Sequence, residues 1–154
     1  MIQKRYEKEP FMLSWMAFLL SKIKISRGIA MHVRYNFNPY NNRVGDCTVR
    51  AIGKVTGQPW DDIYWALCVQ GFIVKDMPDS NEVWSSYLFN HGFRRFVIPN
   101  TCPNCYTVRD FCQEHPRGRY ILATGTHVIA VIDGDYYDTW DSGDEVPIYY
   151  WRKE

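Results

Sequence analysis

The sequence carries no excess of charge of either sign. Its 18 basic and 17 acidic side chains leave a net charge of +1. Proteins that grip nucleic acid through its phosphates are usually markedly basic, so no nucleic-acid partner is expected. Long apolar runs are also missing. Nowhere do the 154 residues reach the roughly 18 consecutive apolar positions of a membrane-spanning helix. Cysteine is scarce for a disulfide-built scaffold. The five present, Cys47, Cys68, Cys102, Cys105 and Cys112, are odd in number and too few to replace a core. Reduced thiols in a cytoplasmic setting are the expectation.

What is present suits one packed domain. Hydrophobic residues make up 46% of the chain and aromatics 16%, which supplies a core and argues against long disorder. Residues 31–154 read as a single domain and residues 1–30 as an N-terminal extension of uncertain role. Within the extension, residues 11–20 are apolar, with Lys4, Arg5 and Lys8 before them and Lys22, Lys24 and Arg27 after. An amphipathic or partly buried helix is the plainest reading. Gly28-Ile29-Ala30 offers a small-x-small triplet that keeps secretion or membrane association open, although Glu7 and Glu9 fit a signal peptide poorly.

Residues 34–46 are rich in Asn, Pro and Gly and read as loop. A helix should follow, capped by Asp46, with Thr48, Ala51, Ile52 and Val55 on one face and Gly57 as its stop. A second helix should run from Pro59 to Gly71, with Trp60, Ile63, Tyr64, Leu67 and Cys68 as its apolar stripe. Ser80 should cap a third that ends at Gly92, and Thr107 a short fourth reaching about His115. Strands are expected at 94–98, 119–123, 127–132, 135–140 and 146–152. Asp133-Gly134 joins the third and fourth of these as a tight hairpin. Helices precede a mainly antiparallel sheet, so the fold class is α+β, with the N-terminal helices packed on the C-terminal sheet.

Two residues in this layout carry chemistry. Cys47 falls at a helix start, where free N–H groups and the helix dipole favour a thiolate and can also hold an oxyanion. The competing reading is a small packing residue. His127 opens a hairpin strand. With Asp133 and Gly134 as the turn, His127 lies opposite Trp140 and Ile129 opposite Asp138. Asp138 is then diagonal to His127 and can orient its ring, leaving the second ring nitrogen for Cys47. Trp140 would shield that contact. A register slip of one residue would put Asp141 in place of Asp138, so Asp141 is the alternative acid.

Gly45-Asp46-Cys47 at a helix start, the downstream strand His127-Val128-Ile129-Ala130-Val131, and Asp138-Thr139-Trp140 together resemble the papain-like cysteine peptidase superfamily. The likeness is to its compact bacterial and phage-associated members, such as the double-glycine leader peptidases, which use Cys-His-Asp. It covers residues 41–56 and 124–142. The resemblance implies a papain-like domain over residues 31–154 and a thiol-dependent acyl hydrolase, most simply a cysteine peptidase acting on a peptide or protein. It implies Cys47 as nucleophile, His127 as general base and acid, Asp138 as the orienting residue, and no cofactor for catalysis. Two departures stand out. Thr48 replaces the Trp that follows the papain nucleophile, and no Gln lies between Gln3 and Cys47 to complete an oxyanion hole. Asn41 or Asn42 is the candidate for that amide. The alternative function is a non-catalytic protein-binding module of viral or mobile-element origin on the same fold.

Cys102, Cys105, Cys112 and His115 form a separate group. Cys112 and His115 share a helix face, and a Cys-x2-Cys turn before them can complete a tetrahedral structural zinc site. A redox or disulfide pair at Cys102 and Cys105, or ordinary thiols, are the other readings. The acidic run Asp133, Asp135, Asp138, Asp141, Asp144 and Glu145 reads as a solvated edge that blocks strand pairing.

Overall fold

A computed structural model describes residues 29–154. The expected helix over residues 11–20 lies outside them. The described chain runs β1 (His32–Arg34), α1 (Cys47–Thr56), α2 (Trp60–Val74), α3 (Asn81–Asn90), β2 (Phe93–Val97), α4 (Val108–Glu114), β3 (Arg119–Ala123), β4 (Val128–Ile132), β5 (Asp135–Asp138) and β6 (Tyr149–Lys153). The class is α+β. One six-stranded sheet has the order β1-β5-β4-β3-β6-β2, and every pairing is antiparallel except the parallel contact of β1 with β5.

Side chains alternate across a strand, and the sheet buries both of its faces. Ile121, Ala123, Val128 and Ala130 face one way, onto Val49, Ile52 and Val55 of α1, Ile63 and Leu67 of α2, and Trp84 and Leu88 of α3. Leu122, Ile129, Val131 and Tyr136 face the other way, onto Val108, Phe111 and Cys112 of α4. Strand β4, Val-Ile-Ala-Val-Ile, is therefore apolar without alternation because it is covered on both sides. Ile52, Ile63, Leu67 and Leu88 are fully buried, and each stabilises by ~1.5–3 kcal/mol.

Side-chain caps set the starts of α3 and α4. Ser80 Oγ accepts the Val83 N–H. Thr107 and Asp110 form a reciprocal capping box at α4. Asp133 and Gly134 both have positive φ, 51° and 85°, as the tight hairpin turn requires. Their turn sets Ala130 opposite Tyr137 and Val131 opposite Tyr136, which is the register anticipated from the sequence.

Several expectations change. Helix α2 runs three residues past Gly71, to Val74, and closes on Lys75 in the left-handed conformation. Gly71 is there for packing, since a Cβ would lie 2.6 Å from the Asp76 carbonyl oxygen. On α2 only Ile63, Leu67 and Gly71 are buried, while Tyr64, Trp65, Val69, Phe72 and Ile73 face solvent. Arg34, expected as the start of a loop, ends the strand His32–Arg34, which covers β5, so the acidic run does not form an open edge. Among the described residues no helix is long and apolar enough to cross a membrane.

Candidate active site

Helix α1 begins at Cys47, and the residue before it behaves unexpectedly. Asp46 makes no side-chain cap. Its carboxylate instead binds the Arg50 guanidinium one turn along and accepts the Trp60 indole N–H at 2.9 Å. The i,i+4 spacing brings Asp46 and Arg50 together. The first-turn N–H groups of α1 therefore carry no side-chain cap beside the Cys47 thiol.

The open end of the β4–β5 hairpin supplies the partner groups. The Thr124–Thr126 loop holds the His127 backbone: Thr124 N–H donates to the His127 carbonyl at 2.9 Å, and His127 N–H donates to Thr124 Oγ1 at 3.1 Å. His127 Nε2 donates to Asp138 Oδ2 at 2.5 Å, which leaves Nδ1 for the thiol. The Cys47 thiol lies beside the His127 ring and the Val128 backbone N–H, and both favour its thiolate. Asp138 is 1% exposed. Its Oδ1 accepts the Thr139 N–H at 2.7 Å and lies 3.4 Å from an Arg50 nitrogen. Ser142 is wholly buried and lies close enough to favour the Asp138 carboxylate, although its hydroxyl has no well-formed hydrogen bond.

Each titration is a contest. Burial alone would raise the Cys47 thiol. The hydrogen bond and charge of His127, the Val128 N–H and Arg50 outweigh burial and hold it below its ordinary value. Burial alone would lower His127, but Asp138 and Cys47 raise it to about 9. Burial alone would raise Asp138, but His127, Ser142 and the Thr139 N–H bring it down. The two shifts run in the directions that favour a thiolate on Cys47 and an imidazolium on His127.

No protein-family model, no curated protein and no solved structure matches the chain. Geometry and chemistry therefore carry the assignment of roles.

The hairpin register decides between the two acids. Asp138 meets His127, whereas Asp141 is bound by Arg109 and by the Tyr136 hydroxyl, away from the ring. Trp140 lies beside His127, with ring centroids 5.4 Å apart, yet it stays 46% exposed and shields only one side. Neither Asn41 nor Asn42 lines the cavity of about 260 Å³ that holds Cys47 and His127; Asn42 lines a neighbouring one. The amide lining the Cys47 cavity is Asn81, whose Oδ1 accepts the Trp84 indole N–H at 3.1 Å and whose NH2 remains to donate. Sequence reasoning also missed Arg50, for which the only signal was its i,i+4 spacing from Asp46.

The zinc expectation finds no assembled ligand set. The sulfurs of Cys102 and Cys105 are bonded to each other, contrary to the expectation of reduced thiols. Cys112 is sealed in the α4 core, where burial and the Asp135 charge push its thiol up to about 12. His115 stacks on Phe111 with centroids 4.0 Å apart, and its Nδ1 meets the Phe111 carbonyl. Among the described residues no group of three or more His, Cys, Asp or Glu side chains could hold a metal ion.

Proposed function

We propose that this protein is a thiol-dependent acyl hydrolase, most simply a papain-like cysteine peptidase. The observation that carries the reading is the unbroken chain from Cys47 through His127 to the buried Asp138. In the proposed reaction the Cys47 thiolate attacks a substrate carbonyl. The uncapped N–H groups of α1, with the Asn81 amide in the same cavity, suit the developing oxyanion. His127 gives its Nδ1 proton to the leaving amine as the C–N bond breaks, and the acyl group remains as a thioester. Water then attacks the thioester while His127 accepts its proton, and Cys47 leaves as thiolate. Asp138 holds the ring in place and favours its charged form.

The test is the pH dependence of Cys47 alkylation by iodoacetamide, read by mass spectrometry. In the wild type Cys47 should react selectively below neutral pH. His127→Ala should move that titration upward, and Asp138→Asn should move it part of the way. A Cys47 that titrates like a free thiol near pH ~8.5 in every variant would sink the reading.

One observation favours a second reading, a non-catalytic protein-binding module. Trp65 is 71% and Phe72 74% exposed on the same flank of α2, where Val69 and Ile73 are also exposed. An ordinary Cys47 would leave this reading standing.

A further inference from the structure

The Cys47 cavity does not end at the thiol. A larger cavity, of about 360 Å³, adjoins it, and the two share Thr48 and Asp79 in their linings. Stacked aromatic rings form one wall of the larger cavity: Trp60 and Tyr64 lie 4.7 Å apart and are inclined by only 11°. Val44 and Met77 add apolar surface. The wall is tied to the residue before the nucleophile, because the Trp60 indole N–H is held by Asp46.

The polar groups of this cavity are unevenly satisfied. The Asp46 carboxylate is taken by Arg50 and Trp60. Asp79 is exposed, and among the described residues no side chain or backbone N–H engages its carboxylate. Neither lining includes a lysine or arginine. An unopposed carboxylate at the junction, beside stacked rings and a methionine, matches a long cationic side chain. The aliphatic stem would lie along the apolar wall and the charged head would meet the acid.

The side of the scissile bond also follows. In the proposed reaction His127 protonates the leaving amine, so the leaving group lies over the imidazole. The larger cavity is lined by Gly45, Asp46 and Thr48, which flank the thiol, and not by His127. It therefore takes the acyl side. We propose that this cavity is a specificity subsite for a lysine or arginine side chain within two residues on the acyl side of the scissile bond, with Asp79 as its counter-charge. This rests on the thiol-hydrolase reading above.

The experiment uses the full chain and three peptidyl chloromethyl ketones of equal length that carry Lys, Leu or Glu on the acyl side. The Cys47 thiolate displaces chloride to form a thioether, which mass spectrometry follows over time. Iodoacetamide labelling is run in parallel. The Lys probe should react on the order of tenfold faster than the Leu probe, with the Glu probe slowest, as a charge-assisted contact predicts. Asp79→Asn should bring the three rates close together, and D79K should reverse their order. Equal rates for the three probes, or no peptide labelling at all, with iodoacetamide still titrating low at Cys47, would overturn the subsite and leave the hydrolase reading intact. A Lys advantage that survives in Asp79→Asn would overturn the role of Asp79. An ordinary iodoacetamide titration would remove both readings together.

Discussion

At the scale of single residues, Arg50 decides how the site is held. It is 8% exposed and stands between two buried carboxylates, Asp46 and Asp138. Removing its charge leaves both acids buried without their cation, which is worse than having no pair at all. Arg50→Met should destabilise the protein by ~3–5 kcal/mol at neutral pH, as measured by urea denaturation. The loss should shrink in acid, once Asp138, held below its ordinary value in the wild type, takes up a proton. A loss independent of pH would mean that the guanidinium acts by packing alone. None of this was visible in composition or periodicity. Asp46 looked like a helix cap because its position is a cap position. Its carboxylate is drawn instead to the buried cation, which offers a stronger partner than a backbone amide.

At the scale of elements, the β4–β5 hairpin places His127 and Asp138 in one stroke. Its turn is tight at Gly134: a Cβ would lie 3.2 Å from Pro116 Cα and 3.3 Å from the Cys112 carbonyl oxygen, at a φ of 85°. Gly134→Ala should cost ~1–2 kcal/mol from the left-handed backbone alone, and Gly134→Val more. Gly125→Ala, where an added Cβ meets nothing within 4 Å, is the control, and urea midpoints compare the three. The hairpin was legible in the sequence because a two-residue turn and a period of two leave one register, and that register selects Asp138 over Asp141. Other elements were less legible. β1 has three residues, too few for alternation to register, and its partner lies more than a hundred residues away. Gly71 carried a helix-stop signal, but its real constraint is the Asp76 carbonyl pressed against it, a tertiary contact that local pattern does not encode. The Cys-x2-Cys spacing allowed metal, disulfide or free thiols alike, and only the burial of Cys112 separates Cys102 and Cys105 from it.

At the scale of the whole molecule, the site should leave a signature in the pH dependence of folding. His127 is raised to about 9, so its contribution is complete below its unfolded value of ~6.5 and is lost as pH rises through 9. Cys47 is depressed, so its contribution is present above its unfolded value of ~8.5 and is lost as pH falls through the folded value. In the ion pair that the proposed function requires, the folded groups hold one proton, on the imidazole, and the unfolded groups also hold one, on the thiol. The two slopes cancel, and stability should be flat with respect to this pair from pH ~7 to ~8.5. Cys47→Ser should uncover the His127 slope, a decline approaching ~1.4 kcal/mol per pH unit. Above that range Cys112, pushed up to about 12, keeps its proton while the unfolded thiol loses it, so wild-type stability should fall in alkali. Denaturation at pH 7, 8, 9 and 10 checks both statements, and a wild-type slope equal to that of Cys47→Ser would deny the ion pair.

The lowered pKa of Cys47 has a consequence outside the proposed acyl transfer. Thiolates, not thiols, are what peroxides oxidise, so of the three unbonded cysteines Cys47 is the one that air and peroxide reach first, while Cys112 is both neutral and sealed. Early damage is sulfenic acid, which a reductant reverses; prolonged exposure carries it to sulfinic acid, which a reductant does not. The shelf life of this molecule is thus set at the same atom as its proposed chemistry.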